Sequence, residues 1–247
     1  MKIDFGHLKF RYEPFPIGLA SNIFADDVYD ALVAAYPSRE TFERARAGVK
    51  YVLSDRINGR EYFRFLRATP IWREFYDCVT SDAFIAMVLE QLAANHIRLG
   101  YVQRAAPLSY LRHLAYGIAG RVDHRCSLRS RFEFSMLPAD GGSVTPHTDS
   151  PGKVITLVLP MIAAGEWRDE IGGGTDVNRP KSERLMFNDM NEKAEFDELE
   201  VVDTFPFHPN QAVVFIRTYN SWHSVRPMTA AGSKLMRKSV TINIMTP

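Results

Sequence analysis

The second half of the chain alternates. Val240, Ile242 and Ile244 interleave with Ser239, Thr241 and Asn243, and a period of two residues puts one set on each face of a β-strand. Phe132, Phe134 and Met136 interleave in the same way with Arg131, Glu133 and Ser135, ahead of the turn signal Ala139-Asp140-Gly141-Gly142. Residues 153–161 and 212–217 are mostly apolar, β-branched runs. Short strands joined by polar turns confine this region to a sandwich or a barrel.

The first half carries helical signals. Val28, Leu32 and Ala35 make one stripe within residues 25–36, Asp26 and Asp27 suit the positive end of a helix, and Pro37-Ser38 end it. Residues 71–95 place Phe75, Val79, Phe84, Val88 and Leu92 at apolar positions, with Thr69-Pro70 as a start signal and a break at Ser81-Asp82. No internal repeat, heptad run or Pro/Ser-rich linker divides the 247 residues. One domain is expected, with a mostly helical part over residues 1–125 packed outside a β core over residues 126–247. The fold class is α+β with a mainly β core.

Composition narrows the partners. A net charge of +1 gives no polyanion-binding signature, so nucleic acid is not expected. Cys78 and Cys126 are too few for a disulfide framework and too far apart for a zinc site. Residues 1–7 contain no apolar stretch of secretory length, and the longest nearly apolar run, 154–164, is too short to span a bilayer. A soluble cytoplasmic protein with no membrane partner is expected; the oligomeric state is not legible. Residues 98–131 hold seven arginines against one acid, Asp123. They make either a solvated surface or the lining of a site for an anionic substrate.

The chemistry concentrates in four residues. His147 and Asp149 are two apart, so an extended chain offers an imidazole and a carboxylate to one point. His223 lies 74 residues past Asp149, just after the apolar run 212–217. Two histidines and a carboxylate that leave metal positions open are the ligand set of non-haem Fe(II) oxygenases. Arg237 follows 14 residues later and shares a strand face with Ser239. A planar guanidinium and a neighbouring hydroxyl can grip one carboxylate together. Arg131 shares a face with Glu133 and Ser135 just upstream of the metal motif, which makes it a candidate pocket residue. Asn220, beside His223, is a candidate to orient the ligand loop; Trp222, of opposite parity to His223, is expected in the core. His113, His124 and His208 have no partner at useful spacing and are read as structural or exposed. Gly172-Gly173-Gly174-Thr175 lacks the Gly-Lys-Ser/Thr ending of a phosphate loop and reads as a turn.

On these residues the sequence resembles the iron(II)- and 2-oxoglutarate-dependent dioxygenase superfamily, over roughly residues 131–247. His147, Asp149, His223 and Arg237 stand where that family has His-x-Asp, a distal His and a basic residue, and Ser239 completes an Arg-x-Ser pair. Trp167 with Gly172-Gly173, Asn220-Ser221-Trp222-His223, and Val225 with Pro227 resemble the prolyl-hydroxylase-like branch. The resemblance implies a double-stranded β-helix, a cupin-like jelly roll, with the N-terminal helices outside. It implies Fe(II) on His147, Asp149 and His223, 2-oxoglutarate on Arg237 and Ser239, and dioxygen as the third reactant. Hydroxylation with release of succinate and carbon dioxide is the implied reaction. Asp149 argues against halogenation but leaves desaturation, ring closure and epimerisation open. A small, anionic molecule is expected as substrate ahead of a protein or peptide. Two other readings stay open: an iron oxidase in which Arg237 and Ser239 hold the substrate's own carboxylate, and a non-enzymatic cupin-like binding module.

Overall fold

A computed structural model describes residues 1–44, 50–101, 118–119 and 128–246. The strands are β1 (Lys9–Arg11), β2 (Ile17–Ser21), β3 (Glu43–Arg44), β4 (Tyr51–Ser54), β5 (Arg129–Pro138), β6 (Val144–His147), β7 (Lys153–Pro160), β8 (Thr175–Pro180), β9 (Leu199–Phe205), β10 (Gln211–Ile216), β11 (His223–Val225) and β12 (Met236–Met245). The α-helices are α1 (Asp26–Ala34), α2 (Gly59–Ala68), α3 (Pro70–Val79) and α4 (Asp82–Ala94). The strands form an eight-stranded sheet, β1-β2-β10-β7-β12-β5-β4-β3, and a four-stranded sheet, β6-β11-β8-β9. Val177 of the small sheet packs on Ile17, Val213 and Phe215 of the large one, so the sheets face each other as a jelly roll.

The alternation of β5, β7 and β12 decides what faces what. Phe132, Phe134 and Met136, Ile155, Leu157 and Leu159, and Val240, Ile242 and Ile244 all join one apolar cluster with the helices. That face is therefore the outside of the jelly roll, covered by α1–α4. The opposite parity, with Glu133, Ser135, Thr156, Ser239 and Thr241, points between the sheets and lines a cavity. A strand buried on both faces can carry this polar row only because the cavity holds partners for it.

Local signals set the helix ends. Pro70 stands in the first turn of α3, where its missing N–H costs nothing. The Ser81 hydroxyl accepts the Phe84 amide at 3.1 Å and caps α4, so the break expected at Ser81-Asp82 separates two helices. The first half also supplies β1–β4, which extend the large sheet at both edges. β1 and β2 border β10, and β4 pairs with β5. α2, whose start carries no capping side chain, was not legible in the sequence.

Trp72 of α3 anchors the helical layer. It is fully buried, its ring lies 4.7 Å from Phe134 and 5.2 Å from Phe75, and its Nε1–H donates to the Ala35 carbonyl at 2.9 Å. Trp72→Ala is expected to cost about 3–5 kcal/mol through the cavity it leaves, read as a lower urea midpoint with unchanged slope.

Candidate metal centre

His147 ends β6 and His223 begins β11, and the two are direct cross-strand partners. Pairing alone brings the rings to a centroid separation of 4.3 Å. The chain then leaves the small sheet for β7 through Asp149, which sits at φ 71°, a left-handed conformation that aspartate tolerates better than most residues. Its Oδ1 lies 3.7 Å from His147 Nε2. One ligand atom each from His147, Asp149 and His223 fall within 4.8 Å of one another.

Hydrogen bonds fix which atoms face the cavity. Nδ1–H of His147 donates to the Thr145 carbonyl, and Nδ1–H of His223 to the Ser221 carbonyl, both at 2.9 Å. A carbonyl only accepts, so each Nδ1 carries the proton and each Nε2 offers its lone pair. The Thr156 hydroxyl donates to Asp149 Oδ2 at 2.8 Å, and Lys153 Nζ lies 2.5 Å from Oδ1. Thr148 secures the turn, its hydroxyl donating to the Asn188 carbonyl at 2.9 Å; the Ser221 hydroxyl donates to the Thr218 carbonyl at 2.9 Å and lies 3.3 Å from the Thr148 carbonyl. Two neutral imidazole nitrogens and a carboxylate oxygen converging from one side fit a divalent first-row metal with open positions.

Burial, with His223 and Lys153 nearby, pushes the His147 imidazole down to about 3 against Asp149's pull upward; burial also lowers His223. Burial opposes a charged Asp149, yet the Lys153 ammonium beside it holds its carboxyl well below the usual carboxylate range. Both histidines are thus neutral in the fold. Below their ordinary 6.5 the unfolded chain takes up protons that the native fold does not. The metal-free protein is expected to lose stability progressively as pH falls from 6.5 toward 3. Asp149's own contribution is present above 3.8 and goes only at still lower pH, through its depressed value. Denaturant midpoints across that range check this, with His147→Gln flattening the upper part of the slope.

Arg237 and Ser239 line the same cavity of about 100 Å³ as the triad. Arg237 is 4% exposed. Its Nε donates to the Gly173 carbonyl at 2.5 Å, Nη1 reaches the Ser239 hydroxyl at 3.4 Å, and Phe207 lies under the guanidinium at 4.2 Å. No carboxylate among the described residues lies within ion-pair distance of it. Burial lowers its pKa to about 10, so it still carries its charge at neutral pH. The Trp167 and Gly172-Gly173 signal now has a physical reason. Trp167 Nε1–H donates to the Gly172 carbonyl at 2.8 Å, and a Cβ on Gly173, at φ 84°, would press on Arg237 and Trp167.

Other sequence candidates fall elsewhere. Arg131 shares the inward parity of β5 but does not line the cavity; Asp55 holds its guanidinium at 2.9 and 2.5 Å. The Asn220 amide donates to the Pro14 carbonyl at 2.7 Å and accepts from Thr218, so it ties this loop to the N-terminal segment and touches no ligand. Trp222 is fully buried, as expected. His208 pairs on the surface with Asp169 at 2.8 Å. The Gly172–Gly174 turn opens on Asp169, Glu170 and Asp176, an acidic setting unsuited to phosphate. His113, His124, Cys126 and most of the arginine-rich stretch lie outside the described residues. Sequence reasoning missed Lys153, Lys50, Glu133 and Thr156. Two left a signal in their parity: Thr156, opposite to Ile155 and Leu157, and Glu133, on the face it shares with Ser135.

Fold and site together define a jelly roll with a two-histidine, one-carboxylate centre and a buried guanidinium in one cavity. No protein-family model and no curated protein matches the sequence. Among solved structures, a prolyl 4-hydroxylase from Phytophthora capsici is 14% identical with a TM-score of 0.52, over 93% of this chain and 58% of that one. A Pseudomonas putida prolyl-4-hydroxylase is 14% identical, TM-score 0.48, over 94% and 92% of the two chains. A Trichoplax adhaerens prolyl hydroxylase, in complex with a peptide fragment of hypoxia inducible factor, is 13% identical, TM-score 0.48, over 93% and 83%. The first of these establishes the shared fold. One expectation is corrected: a small molecule does not take precedence over a protein or peptide as substrate, because a prolyl hydroxylase solved with a peptide fragment stands among the similar structures. Among the described residues, no helix is long and apolar enough to cross a membrane.

Proposed function

We propose that this protein is an Fe(II)- and 2-oxoglutarate-dependent dioxygenase. One observation carries the reading: a single cavity joins three convergent metal-ligand atoms to a buried guanidinium that has no carboxylate partner among the described residues. A buried charge left unpaired is costly, so a site built this way calls for an anion. His147, Asp149 and His223 would hold the iron; Arg237 and Ser239 would hold the distal carboxylate of 2-oxoglutarate. Bound together, iron and 2-oxoglutarate supply the oxidising chemistry, with succinate and carbon dioxide released. The chain's own part is positioning. Thr156 fixes the Asp149 carboxylate, the Thr145 and Ser221 carbonyls fix the two imidazoles, and Phe215 packs on His223 at 4.4 Å. Leu137, Val144, Val158 and Val225 give the cavity apolar walls that exclude water. A cytoplasmic setting belongs to the same reading, supported by the free thiol of Cys78.

Succinate formation tests the proposal. The iron-loaded protein, given 2-oxoglutarate, air and undialysed cell extract as substrate source, is expected to form succinate that depends on both additions. Protein with confirmed iron that forms none would contradict it.

A further inference from the structure

Resting on that reading, we propose that the substrate presents an anionic group, carboxylate or phosphate, and that Lys153 receives it once the metal has taken Asp149. The cavity opens into an outer pocket of about 690 Å³ that shares His147, Asp149, Lys50 and Lys153 with it. Lys50, Lys153 and Lys193 line this pocket. The two carboxylates at its inner end are each engaged: Glu133 Oε1 lies 3.1 Å from Lys50, and Asp149 Oδ1 lies 2.5 Å from Lys153.

A metal on Asp149 would weaken the second engagement. Oδ1 is the oxygen nearest His147 Nε2, and Thr156 already occupies Oδ2. A dication and an ammonium compete for one oxygen, and repulsion drives the ammonium away. Glu133 already lies in the field of both Lys50 and Lys153, and Lys50 holds its Oε1 at 3.1 Å, so one carboxylate serves two ammonium groups. Lys193 has no carboxylate partner among the described residues. With Asp149 given to the metal, Lys50, Lys153 and Lys193 would share the single carboxylate of Glu133, an excess of positive charge beside the pocket.

The probes are two matched pairs: N-acetyl-aspartate methylamide against its asparagine counterpart, and N-acetyl-phosphoserine methylamide against its serine counterpart. Each is titrated calorimetrically, under nitrogen, into the full protein loaded with Mn(II) and 2-oxoglutarate. The charged member of at least one pair is expected to bind about 10- to 100-fold tighter than its neutral partner, and the pair that discriminates names the anion. Lys153→Gln should remove most of that difference. In the metal-free protein the same variant should bind Mn(II) several-fold tighter, because its competitor is gone; a lysine that merely supports the fold would leave the affinity unchanged or lower it. Equal binding of charged and neutral probes, binding of neither, or a Lys153→Gln variant that keeps full discrimination overturns the inference. Wild-type protein that binds no Mn(II) removes the metal reading itself, a separate outcome.

Discussion

Arg237→Gln raises the concentration of 2-oxoglutarate needed for half-maximal turnover by about 30- to 4,000-fold, the range set by about 2–5 kcal/mol for removing one partner of a buried, hydrogen-bonded charge pair. Its guanidinium is held from three sides, by the Gly173 carbonyl, the Ser239 hydroxyl and the Phe207 ring. The fork is therefore aimed before any ligand arrives, and little ordering is required on binding. Arg237→Lys keeps the charge and loses the planar fork, so it falls between wild type and Arg237→Gln. Metal affinity stays close to wild type in both, because the three metal ligands stand on β6, β11 and the turn that follows β6. Saturation curves for 2-oxoglutarate, with Mn(II) affinities measured in parallel, check the split. An unchanged curve for Arg237→Gln would show that this arginine holds something other than 2-oxoglutarate.

His147→Ala abolishes metal retention. Loss of a group that merely supports a ligand costs about 10- to 100-fold in affinity, and loss of the ligand itself is expected to exceed that. The fold should survive, since β6 is the edge strand of the small sheet and the His147 side chain is 20% exposed. Metal content after dialysis checks the loss, and an unchanged denaturation midpoint at neutral pH checks the fold. Near-normal retention in His147→Ala would mean that the triad is not the metal site.

The core of this site was legible in the sequence for a physical reason. Arg237 and Ser239 stand two residues apart on an extended strand, so their shared direction follows from strand periodicity alone; the spacing of His147 and Asp149 marked the pair, but the left-handed turn at Asp149 is what brings its carboxylate beside His147. His223 needed only the strand before it. Most of the helical layer was legible: α1, α3 and α4 carry apolar stripes and start signals, whereas α2 owes its place to packing on β4 and α3. The strands β1–β4 were hidden because they are short and join the large sheet through partners far away in the chain. Lys153 was hidden for another reason. Its bond to Asp149 depends on the turn at Asp149 with its left-handed backbone, which no periodicity encodes. Arg131 shows the converse: its parity was read correctly, but a carboxylate at Asp55 claims it at the cavity's margin.

The most direct measurement is an anaerobic titration of the metal-free protein with Fe(II) and then 2-oxoglutarate, followed in the visible for the charge-transfer band of the chelate. The account predicts a band that His147→Ala abolishes and Arg237→Gln shifts to much higher 2-oxoglutarate concentrations. Iron binding with no band at any 2-oxoglutarate concentration would contradict it, and would turn the site toward an oxidase in which Arg237 grips the substrate itself.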